Sequence, residues 1–404
     1  DMKITMFPVD HMPGARGLRM ETPDSTIIHT GDFKFDETLR LGERADPAQW
    51  LKMGRDGVDV LVADSTSATT EGRRVSEDEV AANLKAIVAD RPNQGIVAGV
   101  LGSQMDRMAS LARVAHETGR LPVIVGRSVE NNVAALVRSG EDLAKGSGVS
   151  AQDLRGKWGH RVPRNRKVDF RGGFVTAKQA QVMELKPKEM LVITTGAFGQ
   201  EMTGLARAAR GEHPLIKLDS QWTMIRPQRI IPVADVQEAV AVMDRNLTAT
   251  GVEMVPAEKT EELGYGPIHK SGHADKGDVM RAYALLRPGM VVPIHGNSQQ
   301  LEAHAAVARE AGVASLAVPT NGSIVRMEPD KVEVVRREPM GLVAVRESGY
   351  GNYSYDKLGA DGKPTGPLPM AANRERGRDD DRRPQRGEPE RQAAYHQARR
   401  RTGR

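Results

Sequence analysis

The chain has 404 residues, 39% of them hydrophobic and 27% charged, with a formal net charge of +5 and no cysteine. That length accommodates two or three domains and that composition a buried core, while the lack of cysteine excludes a disulfide framework, thiolate zinc sites and a cysteine nucleophile. No apolar run approaches the roughly 20 residues that span a bilayer and no secretory signal opens the chain, so a cytoplasmic protein with no membrane partner is expected.

Strands are predicted over 3–9, 26–30 and 59–64, each running into polar residues, as loops that carry chemistry often do. Ser76-Glu-Asp-Glu79 is a capping box that opens a helix to about residue 90. A strand over 95–101, a helix over 104–118 and buried strands over 122–125 and 190–195 follow, and helical periodicity is clear over 233–248, 276–286 and 299–311. This alternation predicts an α/β chain with layered sheets. Residues 140–186 are polar and basic with a weak pattern, which suits an insertion, and after residue 335 the periodicity fades into a Gly/Tyr/Pro-rich stretch.

Residues 371–404 hold eleven Arg, no Lys and six acidic residues, so they account for the whole net charge. Such a segment cannot bury enough surface to offset its ordering entropy and is expected to be disordered. Its arginines suit attraction to RNA phosphates or simple solubilisation, and with Tyr395 as the sole aromatic, base stacking there is not expected. No GxGxxG or Walker-type loop follows a strand, and no GxSxG elbow is present, which disfavours nucleotide-cofactor enzymes and serine hydrolases.

Several short segments end in His or Asp. His11 follows the first strand, Asp32 lies in His29-Thr-Gly-Asp-Phe-Lys-Phe-Asp36, Asp64 closes a strand before Ser-Thr, His269 and His273 bracket Lys-Ser-Gly, and His295 closes Met-Val-Val-Pro-Ile-His. Strand ends in layered α/β folds share one sheet edge, so these side chains can converge. Imidazole and carboxylate together suit zinc or manganese. A single such residue is more often a cap or a turn; the weight lies in the ordered set. His29 and Asp36 read as structural, and His116, His160, His213, His304 and His396 are given no role.

The chain resembles ribonuclease J, of the β-CASP branch of the metallo-β-lactamase-fold nucleases, over roughly residues 3–330. The carriers are Asp10-His11-Met-Pro-Gly14, the run from His29 to Asp36, Asp64-Ser-Thr-Ser67, Gly102-Ser103-Gln104 with Arg107, Gly126-Arg127-Ser128, His269-Lys-Ser-Gly-His273 and Pro293-Ile-His295-Gly-Asn297. The resemblance implies a partial metallo-β-lactamase αββα sandwich, formed by residues 1–76 (lacking its N-terminal portion) and a return segment 261–330, with an inserted β-CASP α/β domain at 77–260. A linker at 331–370 and the disordered basic tail complete the expected organisation. It also implies two divalent ions, zinc or else manganese or magnesium. His11 would ligate one, Asp32 bridge both and His295 ligate the second, while Asp64 would hold a histidine from behind the ligands. His273 would meet the scissile phosphate, and Ser103, Arg127, Ser128, His269 and Ser271 would line the phosphate track. The implied reaction is in-line attack of hydroxide on an RNA phosphodiester, exonucleolytic from the 5′ end and endonucleolytic, in RNA processing and decay. RNA is the expected partner, with a homodimer, homotetramer or other RNA-decay proteins also implied.

Three departures stand out. The family's HxHxDH motif is absent, and with it several metal ligands. Together with the opening Asp1, this leads to the expectation of a truncated nuclease with an incomplete metal site and uncovered, aggregation-prone sheet surface. Ala197 and Phe198 replace Ser and Gln of the family's TGSQGEP, and Asn297 replaces Glu. The alternative function is a non-catalytic RNA-binding or partner-binding subunit; a small-molecule hydrolase on the same fold is disfavoured by the Asp-Ser-Thr and His-x-Ser-Gly-His elements.

Overall fold

The computed structural model describes residues 1–71, 75–141, 143–170, 172–328 and 330–338, together with the backbone of 342–347, 353–358 and 364–367. The basic tail at 371–404 lies outside the described residues. The chain divides into two units, Asp1–Pro319 with Val325–Val334, and Thr320–Ile324 with Val335–Arg404.

The first unit holds two six-stranded sheets. It begins with β1 (Lys3–Pro8), β2 (Arg16–Glu21), β3 (Thr26–His29), α1 (Pro47–Asp56) and β4 (Val60–Asp64). The middle of the chain follows with α2 (Glu77–Ala89), β5 (Gly95–Val100), α3 (Met105–Glu117), β6 (Leu121–Val125), α4 (Arg127–Arg138), α5 (Leu143–Ser147), α6 (Ala151–Trp158), β7 (Val175–Thr176), α7 (Ala177–Val182), β8 (Met190–Thr195), α8 (Gly204–Ala209), β9 (Trp222–Arg226), α9 (Ala234–Ala249) and β10 (Glu253–Pro256). Then α10 (Lys276–Leu286), β11 (Met290–Ile294), α11 (Ser298–Glu310) and β12 (Ser315–Leu316) return to the first sheet. Its order is β1-β2-β3-β4-β11-β12, and that of the second is β10-β9-β5-β8-β6-β7. The second sheet is parallel throughout. The α/β architecture expected from the alternation is therefore present.

The continuous apolar strands behave as their composition requires. Every residue of β4, β5, β6 and β9 is buried, as parallel strands covered on both faces must be. Ser76 caps α2 by accepting from the Glu79 amide, as the capping box predicts. Asn297 caps α11 in a reciprocal capping box with Gln300, so the Asn that departs from the family pattern is a favourable N-cap. Ala197 is buried at 1% exposure and serves packing where the family places a hydroxyl.

Two stretches are more ordered than the sequence pattern suggests. Residues 140–186 carry α5, α6, β7 and α7, with reciprocal capping boxes at Ser150 and Thr176. These elements are too short to display a period. The stretch expected as a linker carries β14 (Val332–Arg337) after β13 (Ser323–Met327), then β15 (Leu342–Glu347), β16 (Tyr353–Leu358) and β17 (Pro364–Pro367). The last three form an antiparallel sheet. The surrounding Gly and Pro masked the period-two alternation in Tyr353-Ser-Tyr-Asp-Lys-Leu358.

The two faces of the first sheet differ. One packs on α1, α10 and α11 through Phe7, Phe33, Phe35 and Trp50. Trp50 lies edge-on to Phe7 at 5.4 Å and to Phe35 at 4.8 Å, and stacks on Phe33 at 5.6 Å. The opposite face carries two in-register rows, apolar but for His29, Ile4–Met20–Ile27–Val60–Met290 and Met6–Leu18–His29–Val62–Val292. Ala317, Val325, Met327 and Val332 cluster with the β4–β11 end of these rows. At the β1 end Ile4 is 53% and Met6 66% exposed. Among the described residues β1 is also an edge strand of this sheet, open to pairing. The double substitution Ile4→Lys, Met6→Lys is therefore expected to suppress self-association severalfold in light scattering. An unchanged onset of association would show that this face is not responsible.

Candidate metal centre and phosphate track

The β1–β2 and β3 loops and the ends of β4 and β11 bring His11, Asp32, Asp64 and His295 to one edge of the first sheet, where the loop before α10 adds His273. The local sequence makes each position rigid. Phe33 and Phe35 are sunk in the core against each other and against Trp50, which pins the loop carrying Asp32. Gly31 takes the left-handed φ of +59° needed to leave β3. Gly272 lets the His11 ring approach, because a Cβ there would lie 3.0 Å from Cε1 and Nδ1 of that ring.

Four of these side chains each offer a ligand atom, and those atoms in Asp32, Asp64, His273 and His295 lie within 4.8 Å of one another. Asp64 Oδ2 is 2.7 Å from His273 Nδ1 and Asp64 Oδ1 is 3.2 Å from His295 Nδ1. Asp32 Oδ1 lies 3.3 Å from His295 Nδ1, and Asp32 Oδ2 lies 3.7 Å from His11 Nε2. The His11 and His273 ring centroids are 4.8 Å apart, and those of His273 and His295 5.4 Å.

Burial pushes the Asp64 carboxyl up, but hydrogen bonds from His273 and Thr66 outweigh it and hold the group below its ordinary value. Asp64 is thus ionised at neutral pH, and His273 Nδ1 must carry the proton it shares with Asp64. His11 Nδ1 donates to the Gly272 carbonyl at 2.8 Å. Both rings are left with Nε2 free, which is how a metal-ligating or proton-exchanging imidazole is usually held. Burial also pushes the His11 pKa down, with the neighbouring His273 acting in the same direction and the Gly272 carbonyl opposing. A neutral imidazole is the ligating form. This nitrogen and oxygen donor set, carried on strand ends, fits zinc or manganese.

Ser271 lies beside the cluster, its Oγ 2.9 Å from Ser67 Oγ and accepting the His273 amide at 3.0 Å. His269 is half-buried. Burial pushes its pKa down to about 4, with Arg107 and Arg229 adding to the effect. Ser103, Arg127 and Ser128 are exposed and group separately, at the C-terminal ends of β5 and β6. The backbone there is close enough that a Cβ on Gly102 would meet Ser128 Oγ at 2.8 Å. Asp36 binds Thr38 and faces Lys270 at 3.5 Å, a structural placement.

Two contributors escaped the sequence analysis. Thr66 Oγ1 lies 2.7 Å from Asp64 Oδ1 and 2.8 Å from the His295 carbonyl, tying the two strand ends together; its place in the Asp-Ser-Thr motif was the available signal. Arg229, exposed on the loop after β9, puts a second positive charge beside His269 and had no signal in the sequence.

The two sheets give the chain the α/β architecture of the metallo-β-lactamase type, with a His/Asp cluster on one edge of the first sheet. Residues 167–247 match the family described as "Ribonuclease J, beta-CASP domain", and residues 267–319 match the "Zn-dependent metallo-hydrolase RNA specificity domain". Curated proteins named ribonuclease J are similar over most of the chain. That of Sinorhizobium meliloti is 28% identical over 337 residues, covering 83% of this chain and 53% of the relative. That of Corynebacterium glutamicum is 29% identical over 359 residues, covering 88% and 45%, and that of Mycobacterium tuberculosis 30% identical over 342 residues, covering 84% and 55%. The chain is thus similar to ribonuclease J proteins of the β-CASP branch. It spans about half the length of the curated relatives it matches. Among the described residues no helix is long and apolar enough to cross a membrane.

Proposed function

We propose that the chain works in metal-dependent hydrolysis of RNA phosphodiester bonds, both exonucleolytic from the 5′ end and endonucleolytic. The observation that carries this reading is the convergence of Asp32, Asp64, His273 and His295 on one sheet edge, in a chain whose residues 267–319, which include His273 and His295, match an RNA specificity domain. His11, Asp32 and His295 are the residues that would hold divalent metal, with Asp32 placed between the two histidines; bound ions would acidify a water and neutralise charge on the phosphoryl group. Asp64 keeps the His273 proton on Nδ1, so that Nε2 can take up a proton from water and, as the imidazolium paired with Asp64, pass it to the leaving oxygen. Ser271, His269, Arg229 and, on the second sheet, Ser103, Arg127 and Ser128 bind phosphates without reading bases. Residues 1–76 and 261–330 form the hydrolase half in this reading, and 77–260 the β-CASP half.

Asp32→Ala and His295→Ala are each expected to lower hydrolysis of a 5′-phosphorylated RNA by at least about 10²-fold, since each removes a donor that no neighbour replaces. Rates matching the unsubstituted protein would refute the proposal. The match of residues 267–319 to an RNA specificity domain also suits a second reading, an RNA-binding subunit without cleavage. It predicts salt-sensitive RNA binding that both substitutions leave intact.

A further inference from the structure

We infer that His304, assisted by Gln300, is a positioning residue: from α11 it holds the Asp64–Thr66 segment from behind and so sets the aim of Asp64 at His273 and His295. The inference rests on the reading of that cluster as the functional site.

His304 is fully buried, at 0% exposure, and its Nδ1 lies 2.8 Å from Ser65 Oγ. Gln300 is one turn earlier on the same helix face, and its Nε2 donates to the Thr66 carbonyl at 2.5 Å. Three consecutive residues are therefore held from two sides. Asp64 faces His273 and His295 in front, while Ser65 and Thr66 are fastened to α11 behind. Gly296 makes the close approach possible, since a Cβ there would meet Gln300 Cβ at 3.0 Å and Ser65 Cβ at 3.3 Å. The Tyr283 ring packs against the His304 ring, with centroids 5.8 Å apart.

A polar ring in the core is an expensive way to fill space. Burial pushes the His304 pKa down to about 4, against the pull of the Asp64 charge, so the ring is neutral at pH 7. A leucine would fill the same volume without a polar group to satisfy. What leucine lacks is the bond to Ser65, and that bond controls the one peptide segment whose neighbour orients two site histidines. Substituting a residue that orients ligands through a second layer commonly lowers metal affinity 10–100-fold.

The test uses the full chain, free of metal and then with zinc chloride alone. The His273 proton is located by long-range nitrogen–proton NMR of the ring, and zinc affinity is measured by calorimetry. In the unsubstituted chain the proton is expected on Nδ1. In His304→Leu the Nδ1-protonated form should lose population and zinc affinity should fall about 10-fold or more, while near-UV circular dichroism remains native. His304→Asn, whose amide can reproduce the Nδ1 bond, should restore both signals. Ser65→Ala deletes the other end of the bond with little change in volume, and should shift both signals even if His304→Leu does not fold. A native tautomer and zinc affinity within twofold in Ser65→Ala would overturn the inference and leave His304 a core residue. If the unsubstituted chain binds no zinc, the functional reading of the cluster fails, and the tautomer measurement still decides the role of His304.

Discussion

Asp64→Asn is expected to lower RNA hydrolysis by about 10²–10⁴-fold, the range for a proton-transfer group that loses its orientation. The substitution keeps the shape and leaves an oxygen for Thr66, which binds Oδ1 through both its amide and its hydroxyl. The second position becomes an NH₂ that faces His273 Nδ1, where a carboxylate oxygen now lies at 2.7 Å. Two donors cannot face each other there, so the imidazole must move its proton to Nε2 or rotate. The first change protonates Nε2 and the second turns it away from its present direction. Because Asp64 is 1% exposed and its charge is replaced by a neutral isostere, folding should survive. The measurement is kcat on an end-labelled 5′-phosphorylated RNA, with thermal melting as the control. A rate within threefold of the unsubstituted protein would remove Asp64 from the mechanism.

Arg107→Leu is the second large effect, and it falls on stability. Arg107 is 2% exposed, donates to both oxygens of Glu77 at 2.7 and 3.0 Å, and reaches the Pro227 and Ile268 carbonyls at 2.7 and 2.9 Å. Ser110 also donates to Glu77. Removing the guanidinium strands a buried carboxylate and two carbonyls, a class of change that destabilises by about 3–5 kcal/mol. The urea midpoint should fall accordingly. The double substitution Glu77→Leu, Arg107→Leu should be less unstable than Arg107→Leu alone, because the stranded charge is then gone. Simple additivity of the two single substitutions would contradict this account. The Ile268 carbonyl lies next to His269 in the loop that ends at His273, so the single substitution should also loosen the phosphate track.

Most of the site could be read from the sequence because its residues sit where strands end. A run such as Val60-Leu-Val-Ala-Asp64 announces both a buried strand and the polar residue that closes it. The same holds for Met290–Ile294 before His295, and for the Phe-x-Phe pair that anchors Asp32. What was hidden depends on contacts between distant segments. His304 looks like any residue of a helix whose apolar face is interrupted, and only the packing of α11 against the end of β4 reveals its partner 239 positions away. Arg229 is one basic residue among many until the fold sets it beside His269. The short elements between residues 143 and 182 were invisible because their helices run only five to eight residues, below the length at which a period can be seen.

The backbone at His295 bears on how this edge should be dissected. His295 has a φ of +56°, a left-handed conformation that side chains with a Cβ adopt at an expense of about 1–2 kcal/mol and that Asn tolerates best after Gly. An alanine there would report two losses at once, that of the imidazole and that of a residue type suited to the turn. Asparagine separates them: His295→Asn keeps the peptide geometry and the Thr66 bond to the residue 295 carbonyl while deleting the ring. The difference between the two substitutions then measures how much of the loss belongs to the chain's path and how much to the nitrogen it delivers.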